Sequence, residues 1–214
     1  GLNTGKNITW GATIQRTLSR HLQLDLTYNG RKSEDVTTIH TGGVQVNLDP
    51  KITQSAGLNF VSHAHTDHLP HRNGGTVLSS KETSSIASLR GFNLGDNVDT
   101  IENFSLFDSG HILGARSLLF DDIFYTGDIC TRPRGFLKGA KIPKCKTLIT
   151  ECTFGMPEFI FPKISETVKK VNGIISELYS KGHPVILLGY ELGKAQTITQ
   201  FFGHWGPLYL HDSV

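Results

Sequence analysis

The stretch SHAHTDHLPH, residues 62–71, gathers four of the chain's ten histidines and one aspartate directly after the apolar run LNFV. On a strand, His63 and His65 would share one face, because side chains alternate with a period of two. Past the strand end the chain turns, so Asp67 and His68 can point elsewhere and feed a second, adjacent site. Imidazole and carboxylate groups are ligands for zinc, or for manganese or iron in carboxylate-rich sites. The stretch therefore predicts metal binding rather than a polar loop with surface histidines.

The bulk composition is that of an ordinary globular protein, with 37% hydrophobic and 19% charged residues among 214. That length suits one large domain or two small ones. The net charge of +2 permits nucleic-acid binding without arguing for it. Cys130, Cys145 and Cys152 form no CxxC pair, which indicates reduced thiols and a cytoplasmic protein. We expect no membrane span, because no apolar run approaches about 18 residues, and no signal peptide.

The chain passes from strand patterns to helix patterns. Strands are expected across residues 21–48, at LNFVSH, and in VDTIENFSLFDSGH, RSLLFDDIFYTGD and KTLITEC. The segment SSKETSSIASLRGF predicts a helix capped by Ser79 or Ser80 and ended by Gly91. From about Met156 the pattern becomes helix, buried strand (HPVILLGY) and helix again. The fold class is therefore α/β.

The run SHAHTDH resembles the signature of the metallo-β-lactamase superfamily, and the family's other motif positions follow in order. Asp49 in VNLDP matches the aspartate that orients the signature loop, His111 in DSGHILGA matches the third histidine, and Asp128 in FYTGDI matches the carboxylate shared by two metals. The resemblance implies two zinc sites, with manganese as an alternative metal. Asp67 and His68 would hold one ion, with Asp128 shared. The implied ligands of the other ion are His63, His65 and His111.

Two further segments resemble the β-CASP nuclease branch of this superfamily, namely LITECTFG at residues 148–155 and GYELGKAQTI at residues 189–198. The resemblance covers nearly all of residues 40–214. It implies a metallo-β-lactamase-type αββα sandwich, of which residues 1–155 form the N-terminal part. Residues 156–214 would form the beginning of an α/β β-CASP cap.

β-CASP proteins are phosphodiesterases that cut RNA or DNA, so the resemblance implies a metal-dependent nuclease, similar to factors that process RNA 3′ ends. The implied catalytic residues are Asp67, Asp128 and Glu151, with Glu151 positioning a proton donor for the leaving oxygen. The cations that could bind phosphates are Arg132, Arg134, Lys138 and Lys194. RNA is favoured over DNA, because the motif acid is glutamate and GHILGA resembles the RNA-type motif. A branch associated with DNA ligase shares both features, so a DNA nuclease is the alternative.

The sequence ends at GPLYLHDSV, whereas a complete β-CASP protein continues and supplies two further histidines. One of them completes the second metal site, which therefore lacks its last histidine here, and the other pairs with Glu151. We expect the chain to be a fragment, a split protein, or one that a dimer or partner chain completes. Two other functions remain open. A thioester or lactone hydrolase is disfavoured by the segment LGKAQ, and a non-enzymatic pairing subunit is disfavoured by the retained ligands.

Overall fold

The computed structural model describes residues 9–19, 22–31, 37–41 and 44–212. It divides into two compact units, which are Gly1–Thr131 with Ala140–Glu151, and Arg132–Gly139 with Cys152–Val214. The first unit carries the strands and one helix, and the second carries two helices. The predicted α/β class is thereby confirmed. None of the helices in this described part of the chain has the length and hydropathy that a membrane span requires.

A five-stranded sheet forms early in the first unit, after an antiparallel pair made of β1 (Thr9–Ser19) and β2 (Leu22–Arg31). Its strands are β3 (Thr37–Thr41), β4 (Val44–Leu48), β5 (Leu58–Phe60), β6 (Val77–Leu78) and β7 (Asn97–Val98). They lie in sequence order, with β3 antiparallel to β4 and the remaining neighbours parallel. Central parallel strands are covered on both faces, so β5 and β6 are wholly buried. For the same reason the segment LNFV, residues 58–61, is apolar except for the buried Asn59.

A four-stranded sheet follows in the same unit. Its strands are β8 (Phe104–Asp108), β9 (Arg116–Phe120), β10 (Ile123–Tyr125) and β11 (Thr147–Ile149). They lie in the order β11-β10-β9-β8, with β10 and β11 parallel and the other pairs antiparallel. Because parallel strands end at the same edge of a sheet, the residues that follow β10 and β11 emerge together there. Those residues include Asp128 and Glu151.

The two larger sheets share one apolar core. Val46, Leu58 and Phe60 from the first sheet belong to the same buried cluster as Leu118 and Phe120 from the second. Burial of such side chains contributes on the order of 1.5–3 kcal/mol each. This core therefore fixes the edges of both sheets relative to each other, and the signature loop leaves one of those edges.

The first helix, α1 (Lys81–Leu89), has the predicted N-cap. The Ser80 hydroxyl accepts a hydrogen bond from the Thr83 amide at 3.0 Å, which satisfies one of the amides that a helix leaves open at its start. Gly91 follows the helix with φ +82°, a left-handed conformation that favours glycine. The same Ser80 hydroxyl donates to the Gly114 carbonyl at 2.6 Å. The helix start is therefore tied to the loop that carries His111.

The second unit contains the two predicted helices, α2 (Ile164–Ser180) and α3 (Lys194–Phe202). The prediction that HPVILLGY forms a buried strand is wrong. Residues 183–190 pair with no strand in the described part of the chain, and Ile186 and Leu188 are 80% and 87% exposed. An apolar run becomes a buried strand only when neighbouring strands satisfy its backbone, so without such a neighbour it has no regular structure and lines a cavity together with Ile175 and Ile198.

Candidate metal centre

The carboxylate of Asp49 orients several residues of the site through hydrogen bonds. Asp49 ends β4 in a left-handed conformation, φ +43°, which aspartate tolerates better than most residues. Its two oxygens accept four hydrogen bonds. The donors are the Ser62 amide and the Ser62 hydroxyl, both at 2.7 Å, His68 Nδ1 at 2.9 Å and the Tyr125 hydroxyl at 2.7 Å. A buried carboxylate with this many donors holds the start of the signature loop in one orientation.

The Asp49 network fixes which nitrogen of His63 is free. The Ser62 hydroxyl has one hydrogen and donates it to Asp49, so it must accept from His63 Nδ1 at 2.9 Å. His63 then carries its proton on Nδ1 and presents the lone pair of Nε2. By the same reasoning His68 donates Nδ1–H to Asp49 and presents Nε2. An imidazole oriented through its second nitrogen is typical of metal ligands.

Three histidines and one carboxylate converge on one point. His63 Nε2 lies 3.0 Å from His65 Nδ1, which in turn lies 3.2 Å from His111 Nε2. Asp128 Oδ2 closes the group at 3.3 Å from His111 Nε2 and 3.7 Å from His63 Nε2. All four ligand atoms lie within 4.8 Å of one another. The sequence placed these four residues in one predicted site, and the structure brings them together.

The group has the size of a tetrahedral zinc site. Four ligand atoms bonded to zinc at about 2.0–2.1 Å stand about 3.3–3.4 Å apart at the corners of a tetrahedron. Four of the six distances in the group are 3.0–3.7 Å, which brackets that value, and all six are within 4.8 Å. Burial and the neighbouring histidines hold the pKa of His63 far below its ordinary value, so its imidazole is neutral. Neutral imidazole is the form that binds a metal. The residues present therefore fit a divalent cation.

Asp128 faces two groups at once. Its Oδ2 points to the three-histidine group, whereas its Oδ1 lies 3.5 Å from His68 Nε2. His68 Nε2 also lies 3.8 Å from Asp67 Oδ2. Burial and the charges of Glu151, Asp67 and Asp49 raise the pKa of Asp128, against the opposing effect of His68. Asp128 therefore lies between the three histidines on one side and His68 on the other.

His68 is held as a hydrogen-bond donor among carboxylates. Burial by itself lowers the pKa of His68, but the hydrogen bond and charge of Asp49, with the charges of Asp128 and Asp67, raise it overall. The loop itself is fixed by the His68 amide, which donates to the His65 carbonyl at 2.9 Å. Lys51 Nζ also donates to the Asp67 carbonyl. Asp67 and His68 therefore lie in a defined turn beyond the strand, as the sequence predicts.

Gly127 allows the Asp128 loop to lie against the signature loop. It adopts φ +55°, and a Cβ atom there would stand 2.7 Å from Ser62 Cβ and 2.9 Å from Ser62 Oγ. Only glycine permits this approach, because real Cβ atoms do not come so near to other atoms. In the sequence TGD after β10, packing against Ser62 therefore requires the glycine, and the candidate metal group includes the aspartate.

Glu151 lies beside the Asp128 loop, where its Oε1 accepts a hydrogen bond from the Ile129 amide at 2.8 Å. The remaining predicted site residues lie in the second unit. Arg132 contacts the Phe161 ring and the carbonyls of Phe161 and Pro162, and Lys194 lies 5.2 Å from the centre of the Tyr190 ring. The second unit also contains Arg134 and Lys138.

Tyr125 is the residue of the site that sequence reasoning missed. Its hydroxyl reaches Asp49 from 76 positions away, and burial together with the Asp49 charge raises its pKa well above the ordinary value. A tyrosine near the end of an apolar strand is an ordinary core residue by pattern, and only the packing of β10 against the core that it shares with β4 brings it to the carboxylate. The nearest signal was its position three residues before Asp128.

Comparison with known proteins gives relatives but no family-model match. The chain is 34% identical over 101 residues to an RNase J-like protein of Methanocaldococcus jannaschii, and 35% identical over 101 residues to the endoribonuclease YSH1 of Eremothecium gossypii. It is also 26% identical over 155 residues to a probable DNA ligase of Opitutus terrae. The first two matches each cover 44% of this chain, and the third covers 65%. They span 24%, 13% and 15% of those proteins respectively, so the chain corresponds to less than a quarter of each relative.

Proposed function

We propose that this chain is a metal-dependent phosphodiesterase that cleaves nucleic acid, with RNA as the preferred substrate. Its relatives belong to the β-CASP branch of the metallo-β-lactamase superfamily. The observation that carries this proposal is the two-sided position of Asp128. One of its oxygens faces His63 and His111, and the other faces His68. Two adjacent groups of metal-binding side chains that share a carboxylate are suited to hydrolysis of a phosphodiester, which is anionic and reacts slowly.

The residues divide the chemistry between them. Divalent cations at these groups would lower the pKa of water and polarise a phosphoryl oxygen. The three-histidine group would hold one cation, and Asp67 with His68 would hold the other. Glu151 sits beside Asp128 and would help to place the proton that the leaving oxygen needs. Asp49 keeps His63 and His68 in the tautomers that present Nε2, so it acts through other residues rather than on substrate.

The proposed metal is zinc, with manganese as the alternative, because nitrogen ligands dominate the first group and oxygen ligands the second. We propose that the second group, Asp67 and His68 with the shared Asp128, is completed by a further histidine. This histidine would come from outside the described residues, either from further sequence or from a second chain. A site that lacks one protein ligand accepts water in its place but binds its ion more weakly. The first group should therefore fill at lower zinc concentration than the second.

The proposed architecture follows the same family. Residues 1–155 form the N-terminal part of a metallo-β-lactamase-type αββα sandwich, and residues 156–214 begin a β-CASP cap. Support comes from the two sheets that share one core and from the two helices at the predicted positions. In the second unit, Arg132, Arg134 and Lys194 supply cations for phosphate binding, since guanidinium groups can form paired hydrogen bonds with phosphate oxygens.

A DNA substrate is the second candidate. It is favoured by the match to the probable DNA ligase, which covers a larger share of this chain than the two RNA-related matches do. RNA is preferred because the RNA-related relatives are more nearly identical over the residues they match. The two candidates share every ligand of the metal centre, so only a direct substrate comparison separates them.

The test compares cleavage of single-stranded RNA and DNA of identical sequence with zinc or manganese added. We expect RNA to be cut faster, and cleavage to be abolished in Asp128→Asn and His65→Ala. Asp122→Asn is the matched control, because Asp122 is an exposed acid in the turn before β10 that pairs with Lys146 at the surface. Faster cleavage of DNA would favour the second candidate, and unchanged cleavage in Asp128→Asn would refute the nuclease proposal.

A further inference from the structure

Three phenylalanines cluster at the surface of the second unit. Phe154, Phe159 and Phe161 lie in the segment between Cys152 and α2, and they are 60%, 46% and 48% exposed. Large aromatic side chains normally bury most of their surface in a protein. A contiguous group of half-exposed rings therefore marks a surface that contacts another molecule. We refer to these three residues as the phenylalanine cluster.

The rings of the phenylalanine cluster brace one another. Phe159 and Phe161 are nearly parallel, with ring planes 11° apart and centroids 6.4 Å apart. Phe154 is nearly perpendicular to both, with its centroid 5.3 Å from that of Phe159 and 5.1 Å from that of Phe161. Mutual edge-to-face contacts restrict ring motion at little entropic cost, because phenylalanine has only two side-chain torsions. Two parallel rings thus share one orientation while part of their surface stays open to solvent.

A fixed cation accompanies the rings. The Arg132 guanidinium carbon lies 5.3 Å from the centre of the Phe161 ring, and Arg132 Nη1 donates to the Pro162 carbonyl at 3.3 Å. A guanidinium on an aromatic face is stabilised by the ring's negative quadrupole. Arg132 is exposed in the structure, so its guanidinium lies at the surface at the rim of the phenylalanine cluster.

The chain around Arg132 is positive. Residues 132–139, RPRGFLKG, contain three cations and no acid, and in residues 152–163 Glu158 and Lys163 balance each other. These two segments of the second unit therefore carry a net charge of +3. The loop 132–139 is docked on α3, since the Phe136 amide donates to Gln200 Oε1 at 3.0 Å. Half-exposed aromatic rings beside the cations of residues 132–139 suit a ligand that is both planar and anionic.

We propose that the phenylalanine cluster is a base-stacking platform for single-stranded nucleic acid, with Arg132 holding an adjacent phosphate. This inference rests on the proposed function, because it specifies a single strand as the substrate and locates part of its binding surface. Every base has a π face, so stacking on rings tolerates any sequence, and the bases of a duplex are not available to it. A protein partner would use the apolar rings but would gain nothing from unbalanced positive charge unless it were acidic.

The experiment measures binding rather than cleavage. Fluorescence anisotropy follows the 214-residue chain binding a labelled single-stranded RNA of about twelve nucleotides, in EDTA so that no cleavage occurs. A second oligomer of equal charge lacks its bases, and a third is double-stranded. The variant Phe159→Leu/Phe161→Leu keeps the apolar surface and removes the ring faces, and Arg132→Gln removes the charge. The control is Tyr209→Leu, an 86% exposed ring outside the cluster.

We expect the double variant to bind single-stranded RNA roughly tenfold more weakly or worse, with little change for the abasic and duplex oligomers. Arg132→Gln should weaken binding of all three anions, and Tyr209→Leu should change none. A 2-aminopurine base in the RNA should be quenched by the wild-type chain and less by the double variant. If circular dichroism shows that the double variant has not folded, Phe161→Leu alone is expected to lower both affinity and quenching.

Equal RNA binding by the wild-type chain and the leucine variants would overturn the platform, as would equal affinity for the base-bearing and abasic oligomers. If the leucine variants bind RNA normally and lose only an association between protein chains, the cluster is a protein contact instead. Failure of the nuclease proposal is seen separately, as absence of metal-dependent cleavage while binding and quenching persist. The two proposals therefore fail in different measurements.

Discussion

Single atoms decide the chemistry of the centre. The Ser62 hydroxyl has one hydrogen, and giving it to Asp49 forces His63 to present Nε2 toward the other ligands. We expect Ser62→Ala to lower zinc affinity about 10–100-fold, because the tautomer and the ring orientation of His63 lose their support. Competition with a chromophoric chelator measures this. Ser105→Ala, at an exposed strand position, is the control, and equal affinities in the two variants would contradict the role of Ser62.

Tyr125 acts on the same carboxylate. In Tyr125→Phe, Asp49 loses one of its hydrogen-bond donors, and a hydrogen bond to a charged group is worth about 1.5–3 kcal/mol. We expect the free energy of unfolding to fall by about that amount in urea denaturation. Tyr209→Phe removes an exposed hydroxyl in the other unit and should change stability by less than about 0.5 kcal/mol. Stability equal to wild type in Tyr125→Phe would mean that the contact carries no energy.

At the residue scale, the sequence predicts the candidate ligands but not the residues that orient them. His63 and His65 are two residues apart, the spacing that places side chains on one face of a strand, and Asp67 and His68 follow in the predicted turn. The partners that orient them, Ser62 and Tyr125, are common core or loop residues with no distinguishing spacing. Their roles depend on distances across the fold, which a pattern along the chain does not contain.

Loops at the strand ends bring the ligands together at the scale of elements. Gly127→Ala would push a Cβ to 2.7 Å from Ser62 Cβ and also force a left-handed alanine. Gly91→Ala is the matched control, because it has φ +82° but no atom within 4 Å of its Cβ. We expect Gly91→Ala to cost about 1–2 kcal/mol for the backbone alone and Gly127→Ala to cost more, measured by chemical denaturation. Equal costs would show that the loop contact is unimportant.

Elements with local signals are predicted from sequence and elements with distant partners are not. Helix α1 has its cap at Ser80 and its left-handed glycine at Gly91, both encoded within a few residues. The strands β4 and β5 follow from apolar runs whose neighbours are present in the same sheet. HPVILLGY is also an apolar run, but it has no pairing strand among the described residues. Residues 183–190 therefore have no regular structure and are largely exposed.

The whole chain should be stabilised by the ion that we propose for its first unit. A ligand that binds only the folded state adds RT ln(1 + [L]/Kd), which is about 2.7 kcal/mol at a hundredfold excess over Kd. We therefore expect zinc to raise the thermal midpoint and EDTA to lower it, as measured by differential scanning calorimetry. Magnesium, a poor match for nitrogen ligands, is the control. A midpoint that does not respond to zinc would argue against a preformed site.

The resemblance to the family was predictable at the scale of the molecule because motif order is read along the chain, and relatives that are 34% and 35% identical over 101 residues support it. The two-sheet core was predictable in outline, since alternating and continuous apolar runs locate the strands. The contact between Phe161 and Arg132 was not, because 29 positions separate the two residues and neither belongs to a regular element.

The central claim is that His63, His65, His111 and Asp128 hold a metal ion. The most direct test is zinc content per chain by inductively coupled plasma mass spectrometry, after zinc loading and removal of free ion, for the wild-type chain and His111→Ala. His204→Ala, in the second unit, is the control. We predict at least one tightly held zinc in the wild-type chain and in the control, and its loss in His111→Ala. Equal zinc in all three proteins, or none in the wild-type chain, would contradict the account.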